Sequence, residues 1–481
     1  MKELSSQIVV IAGGAAGLAA SVQAAENGAD VILLEKNKKT GGAANMGMGL
    51  LGIGTDYQKR NMYPITVPEA VKMFMEYTHY NVDARLIRRY FGMSAGTIKW
   101  LEQIGVEFEG AFKYFTHSKP TWHIVKTERG IGPGAAMRMN ELLTKRAKEL
   151  GVRIMLETTG VDIIKEDGKV SGVLAKAVDG EDIRISCKAA IIATGGAGSN
   201  PEMIKEETGF EFRKDVFNFA VPGCTGDGLR MAWRAGADHM PVRIEQAATL
   251  EGIGGLPVSV PNVLGQCNLL VNAFGQRFMD EEDMTNATFL SNAVTHQPGK
   301  KAFVIVDSSI VKHYVEHGVD EISFVRPKWD VSDFQQGVAT ALRRGNTGLF
   351  VADTLEDLAD QTGIDKEGLL KTVETYNRYC QDGDDEFFKR KDYMRPLLEG
   401  PYYAARYRAG GYGTVGGIRI NSNCEACDSS FRSIPGLYAA GADACNIYDD
   451  SYMFLLPGNS MGFAVNTGRI AGMEAASYTS L

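Results

Sequence analysis

A glycine-rich turn between two apolar strands constrains this chain more than any other stretch: Ile8-Val9-Val10-Ile11-Ala12-Gly13-Gly14-Ala15-Ala16-Gly17-Leu18. Four consecutive β-branched residues read as a buried parallel strand. Leu18 to Asn27 reads as a helix ended by Gly28, and Ala29 to Leu34 as a second strand that delivers Glu35. Strand, turn, helix, strand and acid in that order make a dinucleotide-binding βαβ unit, with a helix N-terminus aimed at a pyrophosphate and a carboxylate for a ribose hydroxyl. Gly14 lets the backbone approach the phosphates, Gly17 lets the helix close onto the strand, and Gly13, Ala15 and Ala16 complete the loop. Glu35 follows at the roughly 20-residue separation the ribose contact needs. Ala12 stands where the pattern has its first glycine. Alanine fits that turn only if φ stays negative, so a slightly altered loop is expected.

With 481 residues the chain should form two or three domains. A net charge of −8 without a basic block argues against nucleic acid as a partner. Met1 to Gln7 holds no apolar signal region, and no apolar run reaches membrane length, so a cytoplasmic protein without a membrane span is expected. Most of the seven cysteines stand singly, as reduced thiols do. Cys424-Glu425-Ala426-Cys427 is a lone CxxC that reads as a surface turn, and no metal site is expected.

Residues 68–109 read as helical, with His79 structural, and 110–133 as irregular and aromatic, including Tyr114, Trp122 and His123. Gly134 to Leu150 reads as an amphipathic helix. Short strands follow at Val152 to Leu156, Gly160 to Ile164, Lys169 to Ala177 and Asp182 to Cys187. Ala189 to Gly196 is a second strand with a glycine turn, and Thr225-Gly226-Asp227-Gly228 opens a helix with Asp227 as its N-cap. Leu269 to Phe278 reads as a hairpin, Phe303 to Asp307 as a strand followed by a helix, and 353–380 as two helices joined at Thr362-Gly363. The acidic run Asp382 to Glu386 reads as a solvated loop.

Several of these segments occur in family order: Glu35-Lys36, Gly41-Gly42-Ala43, Ala193-Thr194-Gly195-Gly196, Thr225 to Gly228, Asn272-x-x-Gly275-x-Arg277-Phe278, Pro401 to Ala404, Gly411 to Ile420, Ile434 to Gly441 and Pro457-Gly458-Asn459-Ser460. Over nearly its whole length the chain resembles the flavoprotein family of fumarate reductases, succinate dehydrogenases and 3-ketosteroid dehydrogenases. The resemblance implies an α/β fold: a Rossmann-like FAD-binding domain of the two-dinucleotide-binding-domain type (1–241 and 407–481) with an inserted α+β capping domain (242–406). It implies FAD wrapped by Glu35, Lys36, Gly41, Gly42 and Ala43, a backbone contact from Val161 to adenine, and Thr194, Gly195 and Gly196 closing over the diphosphate. Asp227 and Gly441 would lie nearby, and the helix after Asn459-Ser460 would aim its N-terminus at the flavin pyrimidine, where its dipole stabilises the reduced anion. Covalently flavinylated members carry a His in the region of residues 36–55; this chain has none there, so non-covalent FAD is expected.

At the reacting end the sequence departs from fumarate reductase. The donor Arg expected near Thr285 is missing, the His-His-Thr segment is Tyr412-Gly413-Thr414, the late Arg is Leu455, and the expected His-Pro is Ala247-Ala248. A dianion needs bidentate cations that these positions do not offer. The expectation is an FAD-dependent oxidoreductase that reduces or forms a C=C bond beside a carbonyl, on a largely neutral, ring-containing substrate, with an unidentified electron partner. Two alternatives stay open: a reductase of an unsaturated carboxylate drawing on Arg406, Arg408 or Arg419, and an electron-transfer flavoprotein without its own substrate site. Proton-donor candidates are Tyr412 first, then Tyr452, Tyr448 and His123, with Asp449 and Asp450 placed to hold a tyrosine hydroxyl.

Overall fold

The structure is a computed structural model that describes residues 1–218, 221–321, 330–448 and 451–480. Asp449 and Asp450 lie outside the described residues. The central sheet runs in the order Glu425–Cys427, Ser433–Ala439, Ala189–Ile192, Ile8–Ile11, Val31–Leu34, Arg153–Met155. Its pairings are parallel except at the Glu425–Cys427 edge. Ile8, Val9 and Val10 are fully buried and Ile11 nearly so, as the unbroken β-branched run requires.

The helix Ala15–Glu26 follows the first strand and packs along the last helix, Asn459–Ser480. The two backbones approach so closely that a Cβ on Gly468 would stand 2.2 Å from the Ala16 carbonyl oxygen. Ala12 departs from expectation: its φ is +81°, in the left-handed region, although it is not glycine. Its N–H donates to Leu34 O at 2.8 Å, and a Cβ on Gly17 would lie 1.9 Å from the Ala12 oxygen. Strand pairing on one side and the helix start on the other fix the turn, and they override the residue's own preference.

A second mixed sheet is built around one long strand, Tyr402–Ile418. Its first part pairs with Lys301–Asp307 and Leu349–Ala352, and its second with His239–Leu250. Leu250, Tyr403 and Tyr407 belong to one apolar core, whereas Val242, Ala247, Val415 and Ile418 belong to the core of the central sheet. The core therefore changes along these two paired strands.

Three local readings need correction. Leu269–Val271 pairs with Lys301–Asp307 and not with a return arm; Asn272 to Gly275 makes a turn, but residues 276–278 leave the sheet. Arg277 explains why. Its Nε donates to Glu281 Oε1 at 2.8 Å and its Nη2 to Glu281 Oε2 at 2.7 Å and to Asp385 Oδ2 at 3.0 Å. Lys389 Nζ stands 3.5 Å from Glu281, and all four side chains are buried. Asp385 is thus an interior ion-pair partner and not part of a solvated loop. The third correction concerns Asp227, which starts the helix Asp227–Arg234 without capping it: the cap residue is Gly226.

Removing one member of a buried ionic group leaves its partners uncompensated, at a cost of about 3–5 kcal/mol. Arg277→Met should lower the denaturant midpoint of the chain by an amount of that order, and a midpoint within error of the parent would contradict it.

Candidate active site

The turns that leave the parallel strands at Ile11, Ile192 and Ala439 gather at one end of the central sheet, where an open α/β sheet binds ligands. The helix Ala15–Glu26 starts there with Gly14 as cap residue, no side-chain cap and no acid in its first turn. Its first N–H groups are therefore left for an anion. A Cβ on Gly14 would meet nothing within 4 Å; it would project into the cleft.

That cleft has two connected parts. The smaller, about 80 Å³, is walled by Glu35, Lys36, Thr158, Gly160, Thr194 and Asp227. The larger, about 520 Å³, runs from Ala15 and Ala16 to Ser460 at the start of the last helix. Gly14, Ala43 and Gly195 border both. An elongated cleft with a bare helix N-terminus at mid-length and a buried acid at one end fits the two halves of a dinucleotide.

Glu35 is buried and accepts from Gly13 N and Asn37 N, each at 2.8 Å. It therefore fixes the glycine loop as well as walling the cleft. Lys36 Nζ pairs with Asp227 at 2.6 Å and Thr225 Oγ1 at 2.9 Å, so these two candidate residues hold each other at the cleft wall. Gly42 and Ala43 line the cleft, and Gly41 supports them, donating its N–H to Gly13 O at 2.7 Å. Val161 follows directly on the cleft wall formed by Thr158, Thr159 and Gly160; its carbonyl accepts from Arg234 and its side chain is exposed. Asn459 is also off the wall, fully buried, donating to Leu456 O at 2.8 Å and accepting from Tyr90. Gly196 packs on Thr414, and Gly13 and Gly17 shape the loop from behind.

Sequence reasoning missed Asp443. Its buried carboxylate accepts from Thr194 N, from Gly195 N at 3.1 Å and Gly196 N at 2.8 Å, and from Thr194 Oγ1 at 3.0 Å. Its position just after Gly441 was the one available signal.

The far end of the cleft is aromatic. Tyr114, Trp122, Tyr412, Tyr452 and Phe454 line it, which places the 110–133 segment at the cavity. Of the four proton-donor candidates the structure brings Tyr412 and Tyr452 together on this wall. Tyr452 is buried, and its hydroxyl accepts from Ser460 N at 3.2 Å. Tyr448 lies behind it among Phe74 and Tyr452 and does not border the cavity. His123 is a core residue: its Nδ1–H donates to Thr121 O at 3.0 Å, its Nε2 accepts from Thr55 at 2.8 Å, and burial pulls its pKa down to about 4. A neutral imidazole with both nitrogens engaged has no proton for a substrate.

Glu245 is the second residue the sequence did not reveal. It borders the cavity while only 7% exposed, and burial raises its carboxyl pKa to about 7 against a hydrogen bond of 3.1 Å from Ser460 Oγ. A bulge places it. Ile244 pairs with Thr414 but Gln246 with Gly411, so Glu245 faces the extra residue in Tyr412-Gly413, and Gly413 takes φ +136°. Such bulges redirect side chains, and here both Glu245 and Tyr412 reach the cavity. No Arg, Lys or His lines this cavity among the described residues. Arg406 and Arg408 are held by Glu251, and Arg419 by Asp238, all away from it.

The family model described as "FAD binding domain" matches residues 7–461. A vinyl phenol reductase of Lactiplantibacillus plantarum is 33% identical over 99% of this chain and 98% of its own length. A fumarate reductase (cytochrome) of Shewanella frigidimarina is 30% identical over 98% of this chain and 77% of its own. The solved 3-ketosteroid-delta4-(5alpha)-dehydrogenase from Rhodococcus jostii superposes with a TM-score of 0.79 over 99% of this chain and 98% of that one, at 23% identity.

Two outcomes follow from this geometry. Glu35→Ala removes the acceptor for two N–H groups that shape the cleft wall, so dialysis against FAD should show binding weakened by about 1–3 kcal/mol. Unchanged affinity would contradict it. Glu245 has its folded pKa raised from 4.5 to about 7, so its contribution to stability is fully present below 4.5 and lost as pH rises through about 7. Glu245→Gln should therefore stabilise the apoprotein relative to the parent by about 2–3 kcal/mol more at pH 8 than at pH 5, read from melting temperatures.

Proposed function

The chain belongs to the FAD binding domain family and its cofactor is FAD, and we propose that it reduces a C=C bond on a largely neutral, ring-containing substrate. It is an oxidoreductase of the kind that acts on such bonds. The observation that carries the substrate reading is the far end of the cleft: five aromatic side chains, one carboxyl group and, among the described residues, no cation. A dicarboxylate there would meet rings and an acid where it needs guanidinium groups. The vinyl phenol reductase, named for a phenol ring that carries a C=C bond, is similar over 99% of this chain and 98% of its own length.

FAD, when bound in this cleft, would supply hydride exchange with carbon. The residues of this chain do the rest. The uncapped helix start at Gly14 takes the diphosphate, and the 194–196 turn, held by Asp443, supports it from the adjacent parallel strand. The helix start at Ser460 offers positive dipole at the end of the larger cavity. Trp122, Tyr114 and Phe454 exclude water and hold a flat ring. Tyr412 supplies the proton to carbon; it borders the cavity from the bulge, whereas Tyr452 is deeply buried, with its pKa well above the usual tyrosine value, and positions the ring beside it.

FAD is held non-covalently in this reading, and the electrons come from a separate donor. The seven cysteines are free thiols, which suits the cytoplasm.

Two measurements test the reading. Dye-reduced holoenzyme should be reoxidised by ring-conjugated alkenes and cyclic enones at least tenfold faster than by fumarate, and fumarate as the best acceptor would overturn it. Tyr412→Phe should lower turnover by about 10²–10⁴-fold with FAD content unchanged. Normal turnover in that variant would move the role to Tyr452.

A further inference from the structure

We infer that Glu245 is the recognition point for a hydroxyl group on the substrate's ring, so that the cavity selects phenol-type substrates over their ethers and over aryl carboxylates. The inference rests on the ring-containing reading above and names the substrate class within it.

The far cavity is apolar on nearly every side, and Glu245 is the one ionisable acid or base, tyrosine and cysteine aside, that borders it among the described residues. Its carboxyl group is held from one side: Ser460 Oγ donates to Oε2 at 3.1 Å, and among the described residues Oε1 takes no hydrogen bond. Ser460 is itself anchored by the contact of its N–H with Tyr452. The groups that face Glu245 electrostatically are Cys445, Tyr448 and Tyr452, all buried and none cationic. A buried acceptor in an aromatic wall is costly to leave unmade, and the groups that satisfy it are O–H and N–H donors.

The same arrangement discriminates. An aryl ether offers no proton to Oε1 and leaves it unpaired. An aryl carboxylate brings a second negative charge or a second acceptor to a site that offers no counter-charge among the described residues. A hydroxyl on the ring satisfies the acceptor at no cost in charge. An ammonium would need Glu245 fully ionised, which burial opposes. A site built to bind a hydroxyl rejects the analogue lacking it far more strongly than an apolar pocket rejects an added group.

The test is titration of the oxidised holoenzyme with 4-ethylphenol, 4-ethylanisole, 4-ethylbenzoate and 4-methylbenzylammonium, followed by the perturbation of the flavin absorbance. In the parent, the phenol should bind about 10–100-fold tighter than the other three. Glu245→Leu should reduce the phenol-to-anisole gap to within about threefold while FAD stays bound. Glu245→Gln keeps the size and an acceptor oxygen; it should retain a several-fold phenol preference and bind 4-ethylbenzoate about tenfold better than the parent does. If the Leu variant loses FAD, the Gln variant decides. Equal binding of phenol and anisole by the parent, tighter binding of the ammonium, or a gap unchanged in the variants overturns the inference. In that event continued turnover of ring-conjugated alkenes would leave the proposed function standing, whereas preference for fumarate would remove both.

Discussion

The buried carboxylate of Asp443 ties together parts of the chain almost 250 residues apart. It accepts three successive backbone N–H groups, those of Thr194, Gly195 and Gly196, and so replaces the partners that a glycine turn at the end of a buried strand lacks. Burial alone pushes its pKa up, and the hydrogen bonds oppose that shift. The turn must hold its shape for the cleft to exist, because Gly195 walls both of its parts and Gly196 seats on Thr414. The Thr414 hydroxyl oxygen in turn accepts from Ala197 N–H at 2.6 Å, and so links the turn to the long strand carrying Tyr412.

From that link the two halves of the site follow. The cofactor half is backbone chemistry: helix starts, glycine turns and one acid, all at the carboxyl ends of parallel strands. The aromatic half is side-chain chemistry on the paired strands where the apolar core changes. The bulge opposite Glu245 is the point of contact between them. It turns an acid from one strand and a tyrosine from the other into the same aromatic cavity, beside the helix start that carries Ser460.

The absence of cations in that cavity, among its described residues, changes what its acid can do. Beside an arginine, Glu245 would be an ordinary carboxylate. Among rings and thiols its carboxyl pKa is pushed up to about 7, and its protonated form can give a hydrogen bond as well as accept one. The arginines that a dicarboxylate reading would need exist in the chain, but Glu251 and Asp238 neutralise them elsewhere.

The sequence by itself determined the βαβ unit, the strands near it, the second glycine turn and the late helix. These depend on residues close together in the chain, where β-branched runs, glycine spacing and helical periodicity act directly. It also showed that the dicarboxylate set was missing, since each absence sits beside a recognisable motif. What it could not show depends on contacts far apart in the chain. Ala12 adopts φ +81° because strand pairing and a close helix leave the turn no other path. Arg277 and Asp385 form an interior ion pair although one lies after a turn and the other in an acidic run that resembles a surface loop. His123 is a core residue because Thr55 and Thr121 take both ring nitrogens. Glu245 enters the cavity because a bulge on a strand 167 residues away shifts the register by one residue. Pattern along the chain fixes which elements form, whereas register and burial, set only when distant strands meet, decide which side chains face the cavity.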